Sequence, residues 1–333
     1  MLQTIGLGLV FIVVLIPICG FVFTAFEQSQ IEARFPPIGE FAEINGVRLH
    51  YVDLPAHDPD APTIVFIHGA SGNLRDPLLA FRPGLIGKFR LIFVDRPGHG
   101  YSTRGNRDVS SPVAQAELIH KLASGIGIDR AVIVGHSWGA AVAAAYAIKF
   151  QASTAGLMLL APATHPWPGG VEWYYGVATT PLIGPIFART LVMPIGFLQM
   201  SGSLRSVFAP TPVPPAYGNE AGIPLVLRPQ EFLANAEDVA NLKGNVIAMA
   251  PHYREITAPT VIFAGSEDTV VRNDLHADVL ARDIAGAKLF TLTNAGHMPQ
   301  FSAPEAVINE LTLLAESTRI HGYASRNQSV AEQ

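Results

Sequence analysis

The chain has 333 residues, enough for one large domain or two smaller ones. It carries 22 Lys and Arg against 27 Asp and Glu, a net charge of −5, so no basic surface argues for nucleic acid as a partner. Cys19 is the only cysteine, which excludes an internal disulfide and a cysteine-built zinc site, and none of the 11 histidines has H-E-x-x-H spacing.

Residues 1–26 contain no charged side chain, and Ile5 to Phe26 is a mostly apolar run of 22 residues. As a helix that length can cross a bilayer. A cleaved signal peptide wants a basic start and a small-x-small site, and neither is clear here. Ile18 is too bulky to precede a lipoprotein cysteine at Cys19. The expectation is a single-pass transmembrane anchor over 1–26, which makes a membrane the partner of this N-terminal helix. A polar, proline-containing linker, 27–40, follows.

Phe41–Ile44 and Val47–Leu54 flank Asn45-Gly46, the signature of a type I′ hairpin. Short apolar runs at Thr63–Ile67 and Phe89–Val94 read as buried strands. Ser111-Pro112 starts a helix with a serine cap and a proline in the first turn. Ala131–Val134 is a strand that leads directly into an alanine-rich helix from Trp138, and Gly156–Leu160 is another strand. The pattern then changes. Residues 165–251 are rich in Pro, Gly and aromatics, with helix-like pieces at Ile183–Met193 and Gln230–Leu242, as in a cap inserted over a site. Strand and helix alternation resumes with strands at Thr260–Ala264 and Ala287–Leu292 and helices at Val270–Asp283 and Pro304–Glu316. Residues 317–333 form a polar tail, expected to be disordered. Such alternation predicts an α/β fold with a doubly wound, mostly parallel sheet, its core at 41–164 and 252–316. Ligands then bind at the carboxyl ends of the strands, in the loops that follow them.

Gly135-His136-Ser137-Trp138-Gly139 fits G-x-S-x-G between a strand and a helix, the form of a nucleophile elbow. The simpler reading is a tight strand-to-helix turn with a capping serine. A nucleophilic serine needs a base within reach, and the base needs an orienting carboxylate. Two later loops that follow strands hold such groups: GSEDTVV at 265–271 with Asp268, and NAGHMPQ at 294–300 with His297. Glu267 and Asp274 are other acids, and His68, His99, His136, His252 and His276 other bases.

Together with HGASGN at 68–73 and DRPGHGYS at 95–102, these motifs resemble the α/β-hydrolase superfamily, in its cap-bearing esterase and lipase branch. The resemblance spans about 41–316 and is weak through the cap. It implies an α/β-hydrolase sheet with a helical cap, Ser137 as nucleophile, His297 as general base and acid, and Asp268 as orienting acid. It also implies an oxyanion hole from the backbone amides of Ala70 and Trp138. His68 and His99 then belong to structural turns, and His136 should point away from the serine hydroxyl. Dehalogenases and epoxide hydrolases of this superfamily carry aspartate at the elbow, so Ser137 points to an acyl-enzyme and a carbonyl substrate.

The implied function is serine hydrolysis of carboxylic esters, with no metal or organic cofactor. Trp167, Trp173 and Tyr174, among other cap aromatics, are candidates for lining an apolar substrate pocket, or for a small cap core. Alternatives on the same triad are a C–C bond hydrolase and a peptidase like the proline iminopeptidases, which need cap acids such as Glu172, Glu231, Glu237 or Asp238 to hold an amine. A ligand receptor on a hydrolase scaffold is the non-enzymatic alternative.

Overall fold

A computed structural model describes residues 15–105 and 107–331. Asn45 and Gly46 both take positive φ, 52° and 77°, as a type I′ turn requires. They join Glu40–Ile44 (β1) to Val47–Leu54 (β2) in an antiparallel hairpin whose register runs from Ile44↔Val47 to Glu40↔Tyr51. Six further strands complete one sheet: Thr63–Ile67 (β3), Arg90–Val94 (β4), Ala131–His136 (β5), Thr154–Leu160 (β6), Thr260–Gly265 (β7) and Lys288–Leu292 (β8). The order is β1-β2-β4-β3-β5-β6-β7-β8, and every pair from β4 onward is parallel. The reversal of strand order beside β3 and β5 is where an open sheet of this kind forms its ligand crevice.

The middle strands are apolar throughout because helices cover both faces. Alternate side chains divide between two cores. Ile67, Ile133 and Leu159 pack with Ile119 of the helix Pro112–Gly125 and with Ala140 of the helix Trp138–Lys149. Phe66, Val134 and Leu160 pack with Phe81 of the helix Arg75–Leu85 and with Leu311 of the C-terminal helix. Ser111 caps the first of these helices, its hydroxyl accepting from the Ala114 amide at 3.1 Å.

The cap comprises Trp173–Ala178, an almost unbroken run from Ile183 to Phe208 with a wide turn at Ala188–Val192, the one-turn Tyr217–Glu220, and the long helix Pro229–Met249. Two other elements differ from expectation. The helix after β7 is shortened to Ala277–Asp283, because residues 270–276 wrap back to place the Asn273 side chain on the Gly265 carbonyl at 2.6 Å. The tail continues the helix Pro304–Ala331.

The N-terminal anchor is corrected. Residues 1–14 lie outside the described residues; from Ile16 the chain is a helix that runs to Arg34, through the stretch expected as a linker. Gly20 brings it against cap backbone: a Cβ there would lie 2.0 Å from the Thr190 carbonyl oxygen. Ile31 and Phe35 are buried with Ala188, Val192, Met193, Leu225 and Leu227. Among the described residues, the helix long and apolar enough to cross a membrane is the internal one, Ile183–Phe208, with 28% of its most apolar window buried. The N-terminal helix is therefore not a separate single-pass anchor, and the membrane partnership and localisation assigned through it fall with it. Gly20, Thr24 and Ile31 are its buried positions, while Ile18, Phe21, Val22 and Phe26 stay exposed.

Candidate active site

Ser137 sits between β5 and the helix Trp138–Lys149 with φ 52° and ψ −116°, outside the ordinary regions for a side-chain-bearing residue. Such strain persists only where the surroundings enforce it. The flanking glycines are part of that enforcement. A Cβ on Gly135 would lie 2.4 Å from the Gly139 carbonyl oxygen, and one on Gly139 would lie 2.4 Å from that of His68 and 2.5 Å from that of Ile67. Only hydrogens fit, so the elbow closes tightly onto the loop after β3.

Asp268 and His297 arrive from the loops after β7 and β8. His297 Nε2 is 2.9 Å from Ser137 Oγ, and its Nδ1 is 2.7 Å from Asp268 Oδ2. The other Asp268 oxygen accepts from the amides of Val270 and Val271 at 2.8 and 2.9 Å. Burial alone would raise the Asp268 pKa, but His297 and these two amides outweigh it and hold the carboxyl below its ordinary value. All three residues are at least nine-tenths buried. A base so tethered can take the serine proton while its partner stays ionised.

The loop after β3 faces the elbow. A Cβ on Gly69 would lie 3.2 Å from that of Ser137. Among the described residues the backbone amides of Ala70 and Trp138 have no acceptor, and Trp138 is the first residue of its helix, where the dipole favours negative charge. Ser71, next to Ala70, is tied to the cap: its amide donates to Asn235 Oδ1 at 2.7 Å, and Asn235 Nδ2 donates to its hydroxyl at 3.1 Å. This Asn235 contact was missed in the sequence, where nothing distinguishes it from any other polar residue of a helix.

The remaining candidates are occupied elsewhere. His136 lies 2.8 Å, through Nε2, from the carbonyl oxygen of His297 and braces the base from behind; burial first, then His297, lowers its pKa to about 3. His68 and His99 both contact Arg96. His276 accepts from the His165 amide at 3.1 Å, and His252 is exposed beside Glu255. Asp274 pairs with Arg272 on the surface, and Glu267 is exposed. The Asp95 carboxylate accepts from the amides of Leu74 and Tyr101 and lies 2.6 Å from His50 Nδ1, holding the turn after β4. Of the cap aromatics, Trp173 is 71% exposed. Tyr174 packs beside Tyr175 and Phe232, and Trp167 lies beside His276 with its indole N–H on the Gly170 carbonyl. Among the described residues no cluster of His, Cys, Asp and Glu could hold a metal ion.

The profile described as the alpha/beta hydrolase family matches residues 64–310, which include the elbow and both later loops. The chain belongs to that family. Proline iminopeptidase PfmaB of Pestalotiopsis fici is 25% identical over 285 residues, which are 82% of this chain and 97% of that one. Human monoacylglycerol lipase ABHD6 is 26% identical over 273 residues, 75% and 73% of the two chains. Two solved structures share the fold. A bacterial membrane phospholipase A aligns with a TM-score of 0.62 at 21% identity over 96% of both chains. An esterase from Thermogutta terrifontis aligns with a TM-score of 0.64 at 22% identity, over 84% of this chain and all of that one. Within the family this α/β hydrolase falls in the cap-bearing esterase and lipase-like branch, and it is a serine-hydrolase-type, ester-cleaving enzyme.

Proposed function

We propose that the enzyme hydrolyses small to medium apolar carboxylic esters through an acyl-enzyme formed on Ser137. The observation that carries this reading is the imidazole of His297 suspended between Asp268 and the Ser137 hydroxyl, opposite two amides free to donate. Ser137 Oγ attacks the ester carbonyl while His297 Nε2 takes its proton. The tetrahedral oxyanion rests on the Ala70 and Trp138 amides, where each donor contributes on the order of 3 kcal/mol. His297 then protonates the departing alcohol, and water repeats the sequence on the acyl group. Asp268 keeps the imidazole in the required tautomer.

The cap favours an ester over an amine-bearing substrate. A peptidase of the iminopeptidase kind needs a free carboxylate there to hold the ammonium. Glu231 pairs with Arg228 at 2.8 Å, Glu237 with Arg104 at 3.1 Å, and Asp238 with Arg96 at 2.6 Å. Three of the four candidate acids are thus neutralised by arginine. Trp173, Leu182, Ile186 and Leu198 meanwhile stand exposed on the cap, a surface suited to apolar substrates such as the monoacylglycerols that one relative's name specifies. The test compares p-nitrophenyl acyl esters of rising chain length, a monoacylglycerol and prolyl p-nitroanilide, on wild type and Ser137→Ala. Ester turnover at least 100-fold above anilide turnover, abolished together with fluorophosphonate labelling in Ser137→Ala, is the expected result. Retention of more than a few per cent of esterase activity by the variant would refute the scheme. Failure of the wild type to label would favour the receptor reading.

A further inference from the structure

The Arg96 side chain is fully buried, and each of its five N–H directions finds an acceptor. Nε donates to the His68 carbonyl at 3.1 Å, and Nη2 to the Gly69 carbonyl at 3.1 Å and to His99 Nε2 at 3.1 Å. Nη1 donates to Gln115 Oε1 at 3.1 Å and to Asp238 Oδ2 at 2.6 Å. His99 can accept because burial, and then Arg96 itself, keep its pKa well below the ordinary value, leaving the ring neutral. The guanidinium lies over the Trp138 ring, with 4.2 Å from its central carbon to the ring centroid.

Two of those acceptors matter for the reaction. The Gly69 carbonyl and the Ala70 amide belong to one planar trans peptide, so they point in opposite directions. Arg96 Nη2 and His68 Nδ1, the latter at 2.8 Å, occupy both lone-pair sites of the Gly69 oxygen. Pinning that carbonyl aims the Ala70 N–H away from it. The second donor is Trp138, whose ring lies under Arg96 and whose indole N–H donates to the Asp238 backbone carbonyl at 3.1 Å. Asp238 lies on the cap helix Pro229–Met249 and is itself held by Arg104 at 2.7 Å.

We infer that Arg96, held by Asp238 of the cap, is the positioning residue that aligns both donors of the oxyanion hole, so that seating of the cap and stabilisation of the transition state are linked. This deepens the proposed acyl-transfer chemistry and rests on it. Neither side chain has any exposed surface, so neither can touch the substrate. Removing the link should therefore lower kcat and leave KM nearly unchanged, whereas a residue that only supports the fold would lower the fraction of active enzyme.

The experiment uses the full chain with Arg96→Lys, which keeps the charge facing Asp238 but loses the fork that spans two carbonyls, and with Asp238→Asn, which keeps the shape and the carbonyl under Trp138. Active sites are counted by fluorophosphonate labelling, so misfolded protein drops out. Expected for Arg96→Lys are a tenfold or greater loss of kcat per labelled serine, KM within threefold of wild type, and a parallel loss of affinity for a trifluoromethyl ketone, which forms a tetrahedral adduct. Asp238→Asn should show the same split at about half the effect on a logarithmic scale, and it decides the matter if Arg96→Lys does not fold. A kcat per labelled serine within twofold of wild type, or losses in KM alone, overturns the inference. Esterase activity persisting in Ser137→Ala would instead overturn the acyl-transfer reading beneath it.

Discussion

Replacing Gly139 by alanine tests how tightly the elbow must close. The new Cβ would lie 2.4 Å from the His68 carbonyl oxygen and 2.5 Å from that of Ile67, where ordinary contacts begin at 3.4 Å. Both obstacles are backbone, so no side chain can swing away, and the elbow and the β3 loop must separate by about 1.0 Å (3.4 − 2.4). That gap opens between the two parts of the oxyanion hole, since Ala70 lies on one side and Trp138 on the other. Donors there act over hydrogen-bond distances, and a misplacement of about 1 Å costs roughly 100-fold in rate, or about 2.7 kcal/mol of barrier. The overpacking itself should cost about 1–3 kcal/mol of stability. The assay is kcat for p-nitrophenyl butyrate, normalised to fluorophosphonate-reactive serine, with thermal unfolding in parallel. Normalised turnover within threefold of wild type and an unaltered Tm would show that the pentapeptide's glycines do not set the geometry.

Asp76 predicts a pH dependence of stability. It is buried with the Tyr217 hydroxyl donating to it at 2.5 Å, and burial raises its pKa to about 6 against the opposing hydrogen bonds of Tyr217 and Gln300. An acid with a raised folded-state pKa binds its proton more tightly when folded, so its contribution is greatest below its unfolded value near 4 and is lost as pH rises through about 6. The Tm of wild type minus that of Asp76→Asn should therefore shrink between pH 4.5 and 7.5; a difference independent of pH would contradict this. Gly20→Val addresses the first helix: its Cβ would meet the Thr190 carbonyl, so the helix should lift from the cap, lower the Tm and speed tryptic cleavage at Arg34 or Arg189. Equal cleavage rates in variant and wild type would mean that this packing does not hold the helix.

Much of the site was legible along the chain because its parts are local. Asn45-Gly46 specifies a turn through its own dihedrals, and the apolar run before Ser137 with small residues after it specifies a strand meeting a helix. Because each loop that follows a parallel strand opens on the same sheet edge, the order of Ser137, Asp268 and His297 could be read as a constellation before any distance was known. Val270 to His276 are locally compatible with a helix, but the Asp268 carboxylate takes the Val270 and Val271 amides and Asn273 bonds back to Gly265, so the helix starts at Ala277.

What the tertiary structure alone decided has one physical origin: pairing between residues distant in sequence depends on topology, which composition and periodicity do not report. Arg96 and Asp238 are 142 positions apart, and His136 and His297 are 161 apart. An isolated acid in a cap looks like a site for an amine until an arginine from the core is found beside it. Hydropathy measures the preference of a side chain for leaving water and carries no information about which surface a helix packs against. The uncharged N-terminal run reads as a membrane span for that reason, and only the tertiary structure shows that the helix buries Gly20, Thr24 and Ile31, with Gly20 against the Thr190 carbonyl, while Ile18, Phe21, Val22 and Phe26 stay exposed.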